Sequence, residues 1–350
     1  MEKDNETAES QKDECLILPS YEKARSAVAS LGLGLIGLGR HGQRYAHHLL
    51  GGIPHCRLVA VCRRDVSTGR EFATQHGLSF YHDYHDLLAD PSVHAVLIVT
   101  PPAEAIRIAL DAIRYTKPFL IEKPLGCTAH DAQRIVTASI QTKIPLMVAH
   151  TLRYEEAIRQ LKQHGERIGP WQYLVMTNRL PRATDQETPQ ASSNKGALLE
   201  IGIHQLDLVR FVTGHEVAQV SCDMERQHPT GPDVRAWASL KTERGLPCLL
   251  DVSRMSTARV TRAEIVGETG QLIADWTSHV LVLVDEKGAS TSIPLTPRPT
   301  IPRVISDFVQ AIHTKAAMPI TGLDGLRAVQ IADACYESAK TGKTIILKPN

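Results

Sequence analysis

No run in this 350-residue chain approaches the roughly 20 consecutive apolar residues that a membrane-spanning helix requires. Charge of one sign is not in excess either. Lys and Arg number 39 against 38 Asp and Glu, so no global field draws the chain to nucleic acid or to an anionic membrane. The seven cysteines (Cys15, Cys56, Cys62, Cys127, Cys222, Cys248, Cys335) are odd in number and nowhere spaced CxxC. That argues against a disulfide scaffold or a zinc ribbon and for a reducing, cytoplasmic setting. Internal repeats are missing. The opening MEKDNETAESQKDE is polar and acidic with no apolar stretch behind basic residues, so it does not read as a secretory signal. What is present is ordinary: 43% hydrophobic and 22% charged residues. That is enough apolar material for a core and, at about 150 residues per domain, for two domains.

Residues 1–29 read as a flexible extension ahead of the core. From residue 31 apolar runs alternate with helical patterns. LGLGLIGLG, LVAVCRR, AVLIVT, PFLIE and PLMVA read as buried strands, and RHGQRYAHHLL, AEAIRIALDAIRY and DAQRIVTASI as helices between them. This rhythm predicts right-handed crossovers and a parallel sheet covered on both faces over residues 30–150. After 150 the pattern changes. A helix at 154–164, a strand at 171–178, a Pro-, Thr- and Gln-rich loop through 194 and a long apolar helix at 196–213 precede six alternating runs. Residues 151–350 are therefore expected to form an α+β domain with a large, mostly antiparallel sheet, closed by helices near 303–314 and 323–340.

Gly37-Leu38-Gly39-Arg40-His41-Gly42 is a GxGxxG between an expected strand and an expected helix. The first glycine permits the turn, the second lets backbone approach a pyrophosphate, and the third lets helix and strand pack closely. The helix N-terminus then offers free N–H groups to phosphate. Such a segment opens a Rossmann-type dinucleotide fold. At the end of the second strand a carboxylate would select NAD and an arginine NADP. Here Cys62-Arg63-Arg64-Asp65 stands at that place, which favours NADP through Arg63 or Arg64, with Asp65 keeping NAD open.

Ile121-Glu122-Lys123-Pro124 falls where a parallel strand ends, so Lys123 is expected to project into the cofactor crevice. On the 196–213 helix, Glu200, His204 and Asp207 fall at i, i+4 and i+7 and are expected to share one polar seam on an otherwise apolar helix. Buried carboxylates and imidazoles must be paired, so the seam is a packing network or a site. One helix supplies only three ligands and no second histidine cluster stands out, so no metal is expected.

The stretches GLIGLGRHGQRYAHHL, LVAVCRRD, HAVLIVTPP, IEKPLG, AHTLRYEEAIRQLK, GALLEIGIHQLDLVRFVTG, EIVGETGQLIAD and GLDGLRAVQIADACYESAKTGK occur in one order. Together they resemble the glucose–fructose oxidoreductase / inositol dehydrogenase family (Gfo/Idh/MocA) over residues 30–347. The resemblance implies a Rossmann domain plus a C-terminal α+β domain whose open sheet mediates homodimer or homotetramer contacts. It implies Gly37, Gly39, Arg40, His41, Gly42, Arg63, Arg64, Thr100, Pro101, Glu122 and Lys123 around NADP or NAD. It also implies Lys123, Arg153, Tyr154, His204 and Asp207 around a sugar, cyclitol or polyol. The family's EKP lysine falls on Lys123 and its helix histidine on His204. Glu200 stands where the family usually has aspartate, and Ala105 where a histidine is common.

The implied chemistry is reversible hydride transfer at a carbinol carbon. His204 is the expected proton acceptor, Lys123 the hydrogen-bond donor to the reacting oxygen, and Glu200 the residue orienting the pair. Two alternatives belong to the same fold: a glycosidase-type member with a transient redox step, and a cofactor-binding regulator without turnover.

Overall fold

The computed structural model describes residues 30–182 and 196–348. The expected N-terminal extension and most of the expected 179–195 loop lie outside the described residues.

The first half builds six parallel strands and five helices in alternation: β1 (Leu31–Ile36), α1 (Arg40–Leu50), β2 (Cys56–Cys62), α2 (Val66–His76), β3 (Ser79–Tyr81), α3 (Tyr84–Ala89), β4 (Ala95–Ile98), α4 (Pro102–Arg114), β5 (Phe119–Glu122), α5 (Ala129–Thr142) and β6 (Leu146–Ala149). The strand order is β3-β2-β1-β4-β5-β6, which is the Rossmann order. The central strands read as unbroken apolar runs because both faces are covered. Leu33, Leu35, Leu97, Ile98, Leu120 and Ile121 are all fully buried.

Local chemistry sets the helix ends. Asp65 caps α2 by accepting the Thr68 N–H at 3.2 Å, and Gly77 ends it in the left-handed region at φ 65°. Pro102 occupies the first turn of α4, where its missing N–H costs nothing. The short β3 and α3 were not expected. Three half-exposed residues carry too little periodicity to register.

The second half contributes α6 (Glu156–Gln163), β7 (Trp171–Pro181), α7 (Ile203–Thr213), β8 (Val217–Arg226), β9 (Asp233–Thr242), β10 (Pro247–Ser256), β11 (Val260–Gly267), β12 (Gly270–Asp275), β13 (Val280–Asp285), β14 (Ser290–Ser292), α8 (Thr300–Thr314), α9 (Gly322–Thr341) and β15 (Ile345–Ile346). Its nine strands run β14-β13-β12-β11-β7-β10-β9-β8-β15, and every pairing is antiparallel except β7 with β10. The expected α/β class with a mostly antiparallel second sheet holds. On β7, Leu174, Met176 and Asn178 point inward while Tyr173, Val175 and Thr177 face out, the period-2 pattern of a one-sided sheet.

The 196–213 segment is not one uniform helix. Leu198–Gly202 winds as a π-helical turn before α7 begins, and the wider turn rotates Glu200 away from the register that a 3.6-residue period predicts. Its N-terminus is held by Asp233 of β9, which accepts the Leu198 N–H at 2.8 Å and the Tyr336 hydroxyl of α9 at 2.9 Å. Helix α9 is anchored by a capping box between Thr321 and Asp324. Its approach covers the β6 edge, where Met147 bridges Thr321 and the Val148 N–H reaches the Ile320 carbonyl at 3.2 Å.

Candidate active site

Strands β1, β4, β5 and β6 all deliver their carboxyl ends to one rim, at the point where the strand order reverses. The glycine turn leaves β1 there. Gly37 has φ +102°, and a Cβ on it would lie 2.4 Å from the Val99 carbonyl oxygen. A Cβ on Gly42 would lie 1.9 Å from the Gly37 oxygen, so helix and strand close on each other only without side chains. Gly39 differs, because a Cβ on it meets no protein atom within 4 Å. Nothing inside the protein demands a glycine there, and its backbone is bare toward the crevice. No side chain caps the α1 N-terminus, and the Thr100 hydroxyl beside Gly37 is buried with no hydrogen-bond partner among the described residues. Open backbone, an uncapped helix end and an unpaired hydroxyl fit a dinucleotide pyrophosphate.

At the end of β2 the two arginines part. Arg63 donates to the Leu38 carbonyl at 2.8 Å, bracing the glycine turn. Arg64 is 81% exposed in its side chain, with Glu104 at 3.1 Å. Asp65 is engaged as the α2 cap. Arg40 is exposed, and His41 reaches across to Glu122 at 2.8 Å. The Glu122 carboxylate also accepts the Tyr45 hydroxyl at 2.6 Å and the Lys123 N–H at 3.1 Å. Burial alone would raise its pKa, but His41, Lys123 and Tyr45 hold it below the usual value. Both oxygens of Glu122 are thus engaged by protein, pinning the β5 end to α1.

Lys123 points from β5 toward the α7 segment, where its Nζ donates to the Glu200 carbonyl at 2.8 Å. Burial lowers its pKa, Arg254 on β10 adds to this, and Glu122 and Glu200 oppose it. The Glu200 carboxylate pairs with Arg254. The backbone of Glu200, rather than its carboxylate, therefore meets Lys123. His204 follows with Nδ1 buried and unpaired among the described residues. Burial drives its pKa well below the usual histidine value, with the nearby charges of Lys123, His150 and His41 in the same direction, so the ring is neutral near pH 7.

The remaining expected site residues are held by protein partners. Asp207, 1% exposed, receives Arg153 in a fork at 2.8 and 2.5 Å, and Arg153 also reaches Asp324 at 2.9 Å. Burial opposes ionisation of Asp324, but Arg153 and the Thr321 cap hold its pKa at about 2. The Tyr154 hydroxyl donates to Asp307 of α8 at 2.6 Å, with Arg303 over its ring. The structure thus brings Lys123, the Glu200 backbone and His204 together, engages Arg153 and Asp207 in a neighbouring ion network, and holds Tyr154 against Asp307 of α8. A cleft of about 1170 Å³ opens beside them, lined by Pro101, Pro102, Thr128, Leu199 and Tyr336 among others, though not by Lys123 or His204.

Two residues at this site escaped sequence reasoning. His150 sits one residue past β6, beside Lys123 in register (Glu122 opposes Ala149), and is 1% exposed with neither ring nitrogen paired among the described residues. The strand-end rule that selected Lys123 would also have found it. Arg254 had no local signal, because only the packing of β10 against the π-helical turn brings it in.

Comparison with known proteins agrees with this architecture. The chain is 26% identical over 335 residues to the oxidoreductase YrbE of Bacillus subtilis, covering 90% of this chain and 96% of that one. It is 26% identical over 331 residues to myo-inositol 2-dehydrogenase of Thermotoga maritima, covering 90% and 98%. An oxidoreductase from Agrobacterium radiobacter, solved with NAD+, L-tartaric acid and magnesium, superposes with a TM-score of 0.81 at 23% identity over 91% of this chain and 98% of that one, a likeness of fold. Residues 31–150 match the model described as oxidoreductase family, NAD-binding Rossmann fold, and residues 156–273 match the GFO/IDH/MocA C-terminal domain, so the chain belongs to the Gfo/Idh/MocA oxidoreductase family.

Proposed function

We propose that this protein catalyses reversible hydride transfer between a nicotinamide nucleotide, NADP in preference to NAD, and a carbinol carbon of a sugar, cyclitol or related polyol. The observation that carries the reading is the meeting of Lys123 with the carbonyl of Glu200, one turn before the neutral, half-buried His204, at the rim that the bare Gly39 backbone opens. The nucleotide supplies the hydride chemistry when bound. The glycine turn, the α1 N-terminus, Thr100 and Pro101 would hold it, with Arg63 or Arg64 at its ribose end.

His204 takes the hydroxyl proton on a ring nitrogen in the oxidative direction and returns it in the reductive one. Lys123 spends one of its three N–H donors on Glu200 and directs another to the same oxygen, stabilising negative charge as it develops. Glu200 acts by neutralising Arg254, which sits close enough to lower the Lys123 pKa. The substrate class is supported by the cyclitol dehydrogenase of Thermotoga maritima. Preference for NADP is supported by the engagement of Asp65 as a helix cap beside two arginines. A homo-oligomer through the outer face of the nine-stranded sheet is supported by the exposed Tyr173, Trp237 and Leu249 there. The test is a screen of cyclitols, aldoses and polyols with NAD+ and NADP+, following formation of the reduced nucleotide. Sustained turnover of any of them upholds the reading, and none turned over with either nucleotide overturns it.

A further inference from the structure

We infer that His150 is a positioning residue that, backed by Asp207, fixes the tautomer of His204. The inference rests on the reading of His204 as the proton acceptor. His204 and Asp207 lie three residues apart on α7, hence on one face, and His150 comes from the end of β6 against that face. His150 Nδ1 is 3.8 Å from the Asp207 carboxylate, and its ring meets that of His204 edge-on, with centroids 6.4 Å apart and planes at 78°. Three ring nitrogens, both of His150 and Nδ1 of His204, are buried without a partner among the described residues. Buried polar groups are rarely left so without a function.

The chemistry of the three groups leaves one consistent order. A carboxylate only accepts, so a hydrogen bond that closes the 3.8 Å to Asp207 puts the His150 hydrogen on Nδ1. A neutral imidazole has one N–H, which leaves Nε2 of His150 as an acceptor. The partner that completes it is the Nδ1–H of His204, reached by rotation of the rings toward each other. His204 then keeps its hydrogen on Nδ1, and Nε2 is the bare nitrogen that receives the carbinol proton.

The charges around the pair suit this arrangement. Arg153 clamps Asp207 in place from the 3₁₀ turn after β6. His150 is faced by Asp207, Arg153, Asp324 and Lys123, and His204 by Lys123, His150 and His41. Burial keeps both rings neutral, so each has one donor and one acceptor to place.

The test uses the full chain labelled with ¹⁵N-histidine, with the His204 ring signals assigned by their loss in His204→Asn. The wild type is expected to show His204 protonated on Nδ1 and bare on Nε2. His150→Phe is expected to convert it to a mixture or to the opposite tautomer, and His150→Gln, whose amide oxygen still accepts, to retain Nδ1–H. An Nε2–H tautomer in the wild type, or an unchanged His204 in His150→Phe, overturns the inference. Should His150→Phe fail to fold, the wild-type spectrum and the His150→Gln variant still decide it. A screen without turnover removes the oxidoreductase reading but leaves these spectra as they are, so the two failures are distinguishable.

Discussion

At the glycine turn the chain leaves polar backbone facing open space, whereas around Lys123 and His204 it buries polar side chains. The cradle is six consecutive residues: Gly42 closes on Gly37 within the turn, Gly37 packs against Val99 at the end of β4, and the flank of Gly39 stays open. The cluster draws on β5, β6, the π-helical turn, α7 and β10, and its members touch only because two sheets and α9 are assembled around them. A change in the cradle should therefore appear as lost stability or lost nucleotide affinity. A change in the cluster should appear in turnover and pH dependence while affinity holds.

The largest effect is expected where the cluster donates to the reacting oxygen. Lys123→Ala should lower kcat by on the order of 10² to 10³ while calorimetric titration finds nucleotide affinity nearly intact; near-wild-type turnover would remove Lys123 from the chemistry. The cradle offers a sharper internal contrast. Gly42→Ala forces a Cβ against the Gly37 carbonyl and should cost about 1–3 kcal/mol or more in urea unfolding. Gly39→Ala, whose Cβ meets no protein atom, should leave stability unchanged and weaken nucleotide binding by roughly tenfold. Equal destabilisation by both would end the distinction between packing glycine and ligand-facing glycine.

Next comes acid sensitivity. An unfolded histidine titrates at about 6.5, and burial holds His204 well below that in the folded chain. Below about pH 6.5 the unfolded chain therefore binds more protons than the folded one, and stability falls as pH falls. The slope contributed by one such group approaches about 1.4 kcal/mol per pH unit. Unfolding midpoints measured from pH 7 to 5.5 should fall in the wild type and fall less in His204→Asn. The acid limb of the oxidation rate should likewise lie below 6.5 and vanish in that variant. A limb centred at or above 6.5 would place the titrating group elsewhere. The smallest effect belongs to the cradle's outer edge. Arg64 is mostly exposed and faces Glu104, so Arg64→Ala should weaken NADP binding by about tenfold or less with NAD unchanged. Tighter NAD than NADP binding in the wild type would leave both arginines as bracing and surface charge.

Legibility followed the same divide. The parallel strands were readable because burial on both faces leaves continuous apolar runs, and the cradle because its glycines fall in one short strand–turn–helix pattern. Lys123 was readable from its place at a strand end. His150 was equally placed and went unread, since a single histidine after an apolar run carries no periodicity. The Glu200, His204, Asp207 seam was read on a 3.6-residue period. His204 and Asp207 keep it on α7, but the π-helical turn takes Glu200 out of it, and its carboxylate pairs with Arg254.

The amino-acid sequence by itself determined the order of strands and helices, the glycine turn with its uncapped helix, and the lysine at the end of β5. Each of these leaves a pattern readable within a short stretch of sequence, even where, as at Gly37 against Val99, the contact behind it comes from another strand. Tertiary structure alone decided which partner each buried charge took. A carboxylate or imidazole removed from water must pair with whatever packing brings within reach. For Glu200 and Asp207 those partners, Arg254 and Arg153, each lie 54 residues away along the chain.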